Sequence, residues 1–359
     1  MKIGLVTHPL EGNYGGILQN YALQTVLRRL GHNPITLRTG KDPMIVYVNW
    51  LLSIIKNAFA AVLGRKYHWR KSPWSVKKNR VLLYSFVYRY IECTNKVQKI
   101  SKALVLNYKI DALIVGSDQV WRPKMVRDIY EMFLEFAVGI DMIKISYAAS
   151  LGTDEWPFSA EQSEKCKILA SQFNSISVRE NNAVNLIRDN WGMDVTWCLD
   201  PTMLLCKEDY ESLIVDEPKR KGIVFAYLLD PSEDKRVFAE GVASQLNSKV
   251  KLLSAGKNLE GKVSIENWLS FFRDAEAIVT DSYHGTVFSL IFHKSFYVFA
   301  NHERGNSRFE TLIDCFNIRN CFVEDVNELA PRKIDWKFID DKLAIYKEQS
   351  TKYLIDNLH

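Results

Sequence analysis

The sequence predicts an α/β chain built of two Rossmann-like domains, on three observations. Short apolar runs alternate with helical patterns along almost its whole length, the signature of stacked βαβ units and a parallel sheet. At 359 residues the chain exceeds the size at which one hydrophobic core usually keeps growing. Between the halves, CKEDYESLIVDEPKRKG (206–222) is polar and proline-bearing and suits a linker. The expected domains are 1–205 and 206–335, with 336–359 as a terminal amphipathic helix.

The first strand is expected in KIGLVTH (2–8). NYGGILQNYALQ follows, and Leu23, Val26, Leu27 and Leu30 recur at helical spacing. After a second strand, PITLR (34–38), the rhythm breaks. Residues 44–63 are almost wholly apolar, interrupted by Asn49, Lys56 and Asn57, and a basic aromatic stretch follows, GRKYHWRKSPWSVKKNR. Two readings stand here. One is a buried helical insertion around 44–105. The other is a peripheral membrane contact through 44–80, with Trp50, Trp69 and Trp74 at headgroup level among lysines and arginines.

DALIVG (111–116), KISYAAS (144–150), SISVR (175–179) and VTWCLD (195–200) complete the first domain. GIVFAYL (222–228), KVKLLS (249–254), AEAIVTD (275–281) and SFYVFA (295–300) are the strands of the second. In the last stretch, Ile339, Leu343 and Tyr346 lie at helical spacing.

Composition bounds the function. Apolar and charged fractions of 47% and 25% exclude wholesale disorder. The net charge of +5 is mild and concentrated after residue 63, so no nucleic acid partner is expected. Six cysteines without a C-x-x-C pair or a histidine at zinc spacing predict reduced thiols and no metal. The opening MKIGLVTHPL is too short in its apolar part for a signal peptide, which makes the cytoplasm the expected compartment.

In open parallel sheets, ligands bind beyond the carboxyl ends of the strands. After the first strand, Asn13, Gly15 and Gly16 allow a ligand to approach helix N–H groups, and Gln19 extends the buried stripe as a polar group. A plain glycine turn is the alternative. After the third strand, Ser117, Asp118, Gln119 and Trp121 offer a hydroxyl, a carboxylate, an amide and a ring suited to sugar hydroxyls, or Asp118 merely caps a helix. Arg179 stands where a strand meets a helix, able to grip a carboxylate or phosphate or to pair with Glu180. Asp200 ends another strand, where a turn role is as natural as a chemical one. In DSYHG (281–285), Val287, Leu290 and Ile291 mark the buried face of a helix, and His284 falls on its first turn facing inward. An imidazole there, between a helix N-terminus and Asp281, suits a proton donor, or else a hydrogen-bonded core histidine. Arg304 and Arg308 follow within reach of the same edge.

In this order, NYGGILQNYALQ, DALIVGSDQVWRP, ISYAASLG, SVRE, LDPT and DSYHGTVFSLIFHKSF resemble the polysaccharide pyruvyl transferase family, over about residues 1 to 315. The resemblance implies a GT-B-like pair of domains facing across a cleft. It implies transfer of the pyruvyl unit of phosphoenolpyruvate to a sugar diol as a cyclic ketal, with no cofactor beyond that donor. It makes His284 the general acid and Arg179 a donor ligand, with Asp118 or Asp281 orienting or deprotonating the hydroxyl. Relatives carry an arginine two residues before the histidine, where this chain has Ser282; donor binding then falls to Ser282, Gly285 and Arg308 or Arg304. Asn13, Gly15, Gly16, Gln19, Ser117, Gln119 and Trp121 are the expected acceptor contacts. The acceptor is expected to be a surface-polysaccharide precursor, polyprenyl-linked if 44–80 meets the inner face of the membrane. A nucleotide-sugar glycosyltransferase and a non-catalytic glycan-binding protein of a polysaccharide assembly system are the competing readings.

Overall fold

The computed structural model describes residues 1–40, 43–63, 73–254, 263–300 and 307–359. Its ten strands fall on the ten predicted runs. β1 (Lys2–Val6), β2 (Asn33–Thr36), β3 (Ala112–Asp118), β4 (Ile143–Ala149), β5 (Ser177–Val178) and β6 (Thr196–Trp197) form one sheet, ordered β2-β1-β3-β4-β5-β6. β7 (Ile223–Leu228), β8 (Lys249–Ser254), β9 (Ala277–Thr280) and β10 (Ser295–Val298) form a second, ordered β10-β9-β7-β8. Every pair is parallel. Strands such as β3 and β9 are buried at every position, because crossover helices cover both faces of a parallel sheet.

The helices are α1 (Tyr14–Arg29), α2 (Pro43–Val62), α3 (Pro73–Tyr90), α4 (Lys102–Asn107), α5 (Ala160–Ala170) and α6 (Asn181–Trp191). They continue with α7 (Lys207–Glu211), α8 (Glu233–Gln245), α9 (Ile265–Asp274), α10 (Tyr283–Ile291), α11 (Ser307–Phe316) and α12 (Trp336–Asn357). One apolar cluster runs without a break from Ile3 and Leu18 to Trp268, Phe288 and Leu312, so the two sheets share a core. Tyr14 fastens them: its ring stacks on Trp268 at 5.5 Å and its hydroxyl donates to the Val263 carbonyl at 2.9 Å.

α12 crosses back to the first sheet. Leu199 N–H donates to Ser350 Oγ at 2.9 Å, and Tyr353 donates to the Ser146 carbonyl at 2.9 Å. Ile339 is buried and Leu343 and Tyr346 pack against the shared core, which is the stripe the periodicity marked.

The expectation of a buried helical insertion is corrected for α2. α3 fills the flank of α1 with Leu83, Phe86 and Val87. α2 lies outside it, and none of its described residues is buried. No helix among the described residues is long and apolar enough to cross a membrane.

The cysteines are unpaired. Burial pushes the Cys166, Cys198, Cys315 and Cys321 thiols up to about 12, far from thiolate character.

Candidate active site

The carboxyl ends of both sheets contribute to one buried polar cluster. α10 supplies His284 from its first turn, and Ser282 caps that turn by accepting from Gly285 N–H at 3.3 Å. Gly285 is required by packing: a Cβ there would lie 2.1 Å from Thr280 Oγ1, so the missing side chain lets the helix start lie on β9. Ser282 and Gly285 therefore build the helix start.

His284 is 7% exposed. Its Nε2 stands 2.6 Å from Nε2 of Gln19, which also donates to Asp200 Oδ2 at 3.0 Å. The two nitrogens are within hydrogen-bond distance, and their donor and acceptor roles follow from the tautomer of the imidazole. Gln19 Oε1 is buried without a hydrogen-bond partner. Gln19 was expected to touch acceptor sugar; the structure instead inserts it between Asp200 and His284.

Asp200 follows β6. It accepts from Arg179 Nη1 at 2.8 Å and from Thr202 N–H and Oγ1 at 3.0 and 2.6 Å, and it lies 3.6 Å from His284 Nε2. Burial pushes its carboxyl up, but His284, Arg179 and Thr202 outweigh this and hold it well below the usual range. Asp200 thus works as a fixed anion that orients the imidazole and the guanidinium.

Arg179 is 2% exposed and sits among three carboxylates: Asp200, and Asp118 and Glu180 at 3.6 Å each. Its Nε and Nη2 make no hydrogen bond, so two buried donors remain for a ligand. The guanidinium lies 4.6 Å from the Tyr283 ring, and that of Arg308 lies 5.7 Å from the same ring. Burial and the neighbouring Arg179 charge push Arg308 down to about 10. The two buried guanidinium groups at one ring repel each other, and Glu180 and Asp118 offset part of that repulsion. Glu180 accepts from Ser150 Oγ, and burial raises its carboxyl against the pull of Arg179.

Asp118 ends β3 in the left-handed region at φ 76°, a conformation L-residues other than Asn, Asp and His adopt rarely. Burial raises its carboxyl, but Arg179, His8, His284 and Arg308 reverse this and keep it ionised. Asn13 donates to its Oδ2 at 3.4 Å, and a Cβ on Gly16 would stand 3.4 to 3.6 Å from both side chains. Asn13, Gly16 and Asp118 therefore lie together.

Asp281 is elsewhere. Its carboxylate accepts from Leu229 N–H at 2.5 Å, Asp230 N–H at 3.0 Å and Lys235 Nζ at 2.6 Å, pinning the turn after β7. This corrects its expected role at the histidine, which Asp200 takes. Three acceptor contacts are corrected too. Ser117 donates to the Ala148 carbonyl at 2.7 Å, Gln119 packs on Gly152 and accepts from Arg122, and Trp121 is fully buried, stacked on Phe133 and donating to the Met132 carbonyl. These side chains build the wall and not its surface. Arg304 lies outside the described residues.

Gly15 has a role the sequence left between ligand approach and turn. A Cβ at this position would lie 2.1 Å from His284 Nδ1, so the ring rests directly on the backbone of α1. Gly15→Ala is expected to displace the imidazole and lower turnover by about 10²-fold, on the scale of a misplaced catalytic group. The melting temperature should fall by only a few degrees; turnover equal to wild type would show that the ring position is not needed.

A surface cavity of about 350 Å³ lined by Gln98, Lys99, Arg127, Asp128, Tyr130 and Gln162 shares no residue with this cluster. Its Lys99 is already paired with Asp128 at 2.7 Å.

Compared with known proteins, residues 13–303 match the family model described as polysaccharide pyruvyl transferase. No curated sequence relative matches. Among solved structures, UDP-GlcNAc 2-epimerase from Neisseria meningitidis aligns with TM-score 0.52 and 10% identity over 100% of this chain and 99% of that one. UDP-GlcNAc 2-epimerase from Methanocaldococcus jannaschii aligns with TM-score 0.50 and 11% identity, over 98% and 99%. The spinosyn rhamnosyltransferase SpnG aligns with TM-score 0.44 and 9% identity, over 100% and 97%. At these identities the first two show a shared GT-B-like architecture and nothing of the substrate.

Proposed function

Because the chain belongs to the polysaccharide pyruvyl transferase family, we propose that it transfers the pyruvyl group of phosphoenolpyruvate to two hydroxyls of one sugar in a surface-polysaccharide precursor. The observation that carries this reading is the buried pair Arg179 and Arg308 within 6 Å of one ring, beside His284. A donor with both a carboxylate and a phosphate suits two guanidinium groups and helix N-termini. No cofactor enters the scheme.

In the proposed reaction, protonated His284 delivers its proton to the methylene carbon of the enol, which becomes a methyl group. The adjacent carbon becomes electrophilic and bonds to the first sugar oxygen, whose proton passes to Asp118. The second sugar oxygen then bonds to the same carbon as the carbon–oxygen bond to phosphate breaks. Phosphate leaves with the electron pair, and the second hydroxyl's proton leaves with it. Arg179 and Arg308 hold the donor's charges, and Asp200 and Gln19 fix the imidazole.

A thermal-shift titration tests the donor. Phosphoenolpyruvate is expected to raise the melting temperature as its concentration passes the dissociation constant, by RT ln(1 + [L]/Kd) in stability, or about 2.7 kcal/mol at a hundredfold excess. Arg179→Ala should abolish the shift. A shift with UDP or GDP alone would transfer the protein to nucleotide-sugar chemistry, and glycan binding without phosphate release from any donor would make it a non-catalytic member.

A further inference from the structure

The outward face of α2 is apolar and exposed to solvent among the described residues. Tyr47, Leu51, Ile55, Phe59 and Leu63 follow one another at i, i+4 spacing, and all are exposed, Ile55 by 60% and Phe59 by 70%. Val48 and Leu52 widen the same stripe. Half-buried Trp50, Ser53 and Asn57 turn the other way, toward the protein. This reverses the usual pattern of a surface helix, which buries its apolar side. Between residues 43 and 91 the sequence holds nine lysines and arginines and no aspartate or glutamate.

We propose that the outer face of α2 is a docking surface for an anionic lipid bilayer, lying in the interface plane with its apolar stripe among the acyl chains. The charge decides between occupants. A second copy related by twofold symmetry would bring two such basic segments together and pay for their repulsion. An anionic lipid surface answers both features at once: it buries the stripe, and it attracts a segment of this composition, whose exposed Lys56 lies on α2 itself. Docking does not depend on the proposed reaction, though it would bring the site to saccharides carried on membrane lipids.

Flotation of the full chain tests this. With phosphatidylglycerol-containing vesicles the protein should rise with the lipid, with pure phosphatidylcholine it should stay behind, and salt should weaken the association. The triple substitution Leu51→Glu, Ile55→Glu and Phe59→Glu should lower the floated fraction at least ~10-fold. It should leave the melting temperature and the phosphoenolpyruvate shift unchanged, which separates this proposal from the functional one. Failure of the wild type to float, or equal flotation of the triple variant, would overturn it. So would a wild-type dimer in lipid-free solution that ignores vesicles and that the triple variant dissolves, since the stripe would then belong to a second copy.

Discussion

His284→Gln is expected to lower the rate of phosphate release from phosphoenolpyruvate, with a diol acceptor present, by about 10²- to 10⁴-fold, the usual contribution of a positioned acid. Glutamine retains hydrogen-bonding capacity toward Gln19, the residue that meets Nε2 at 2.6 Å, so the fold should persist with little change in melting temperature. It cannot carry a transferable proton at neutral pH. In D₂O the wild-type product should carry one deuterium in its methyl group, marking the protonated carbon. A variant that turns over within a few-fold of wild type, with its fold intact, would remove His284 from the acid role.

Asp200→Asn is expected to be the most destabilising conservative change in the cluster, by about 3 kcal/mol at neutral pH. Its oxygens receive Arg179, Gln19 and Thr202, and an amide cannot replace the charge that offsets the buried guanidinium. The pH dependence has a definite sign. The Asp200 carboxyl is held below its ordinary value, so its contribution is fully present above the unfolded value near 4 and is lost as pH falls through the lower folded value. Glu180 is shifted the other way by burial, but both proteins share it and it cancels in the difference. Urea unfolding at several pH values should show the gap between wild type and Asp200→Asn narrowing below about pH 4. A gap that widens on acidification would contradict the assignment of the charge to Asp200.

The sequence carried the strands because parallel sheets need unbroken apolar runs, and such runs survive whatever packs on them. It carried the inward aim of His284, because three positions of helix separate it from Val287 on the buried face. Its partner was less legible. Asp281 is near in sequence, but it ends β9 and turns toward the β7–α8 turn, while Asp200 reaches the imidazole from the other sheet. Periodicity alone does not say which of two strand-end acids crosses between domains. Trp121 misleads for a related reason: its N–H bonds the Ser150 carbonyl at 3.2 Å, so the chain after Asp118 dives behind β4 and takes the ring into the core. Gln19 was recognisable as a costly polar group on a buried stripe. Asp200 and the imidazole meet its amide nitrogen, while its Oε1 stays unpaired. For α2, composition showed an apolar helix but could not show that α3, and not α2, packs on α1.

The return of α12 to the first sheet also sets an order of assembly during synthesis. Ser350 is 151 positions beyond Leu199, the residue whose N–H it receives. At about 5–20 residues per second the ribosome adds that stretch in roughly 8 to 30 s. Throughout this interval the first sheet has every strand but lacks its closing helix, with Tyr147 and the Ser146 carbonyl still waiting for Tyr353. The half made first is therefore among the last to be finished.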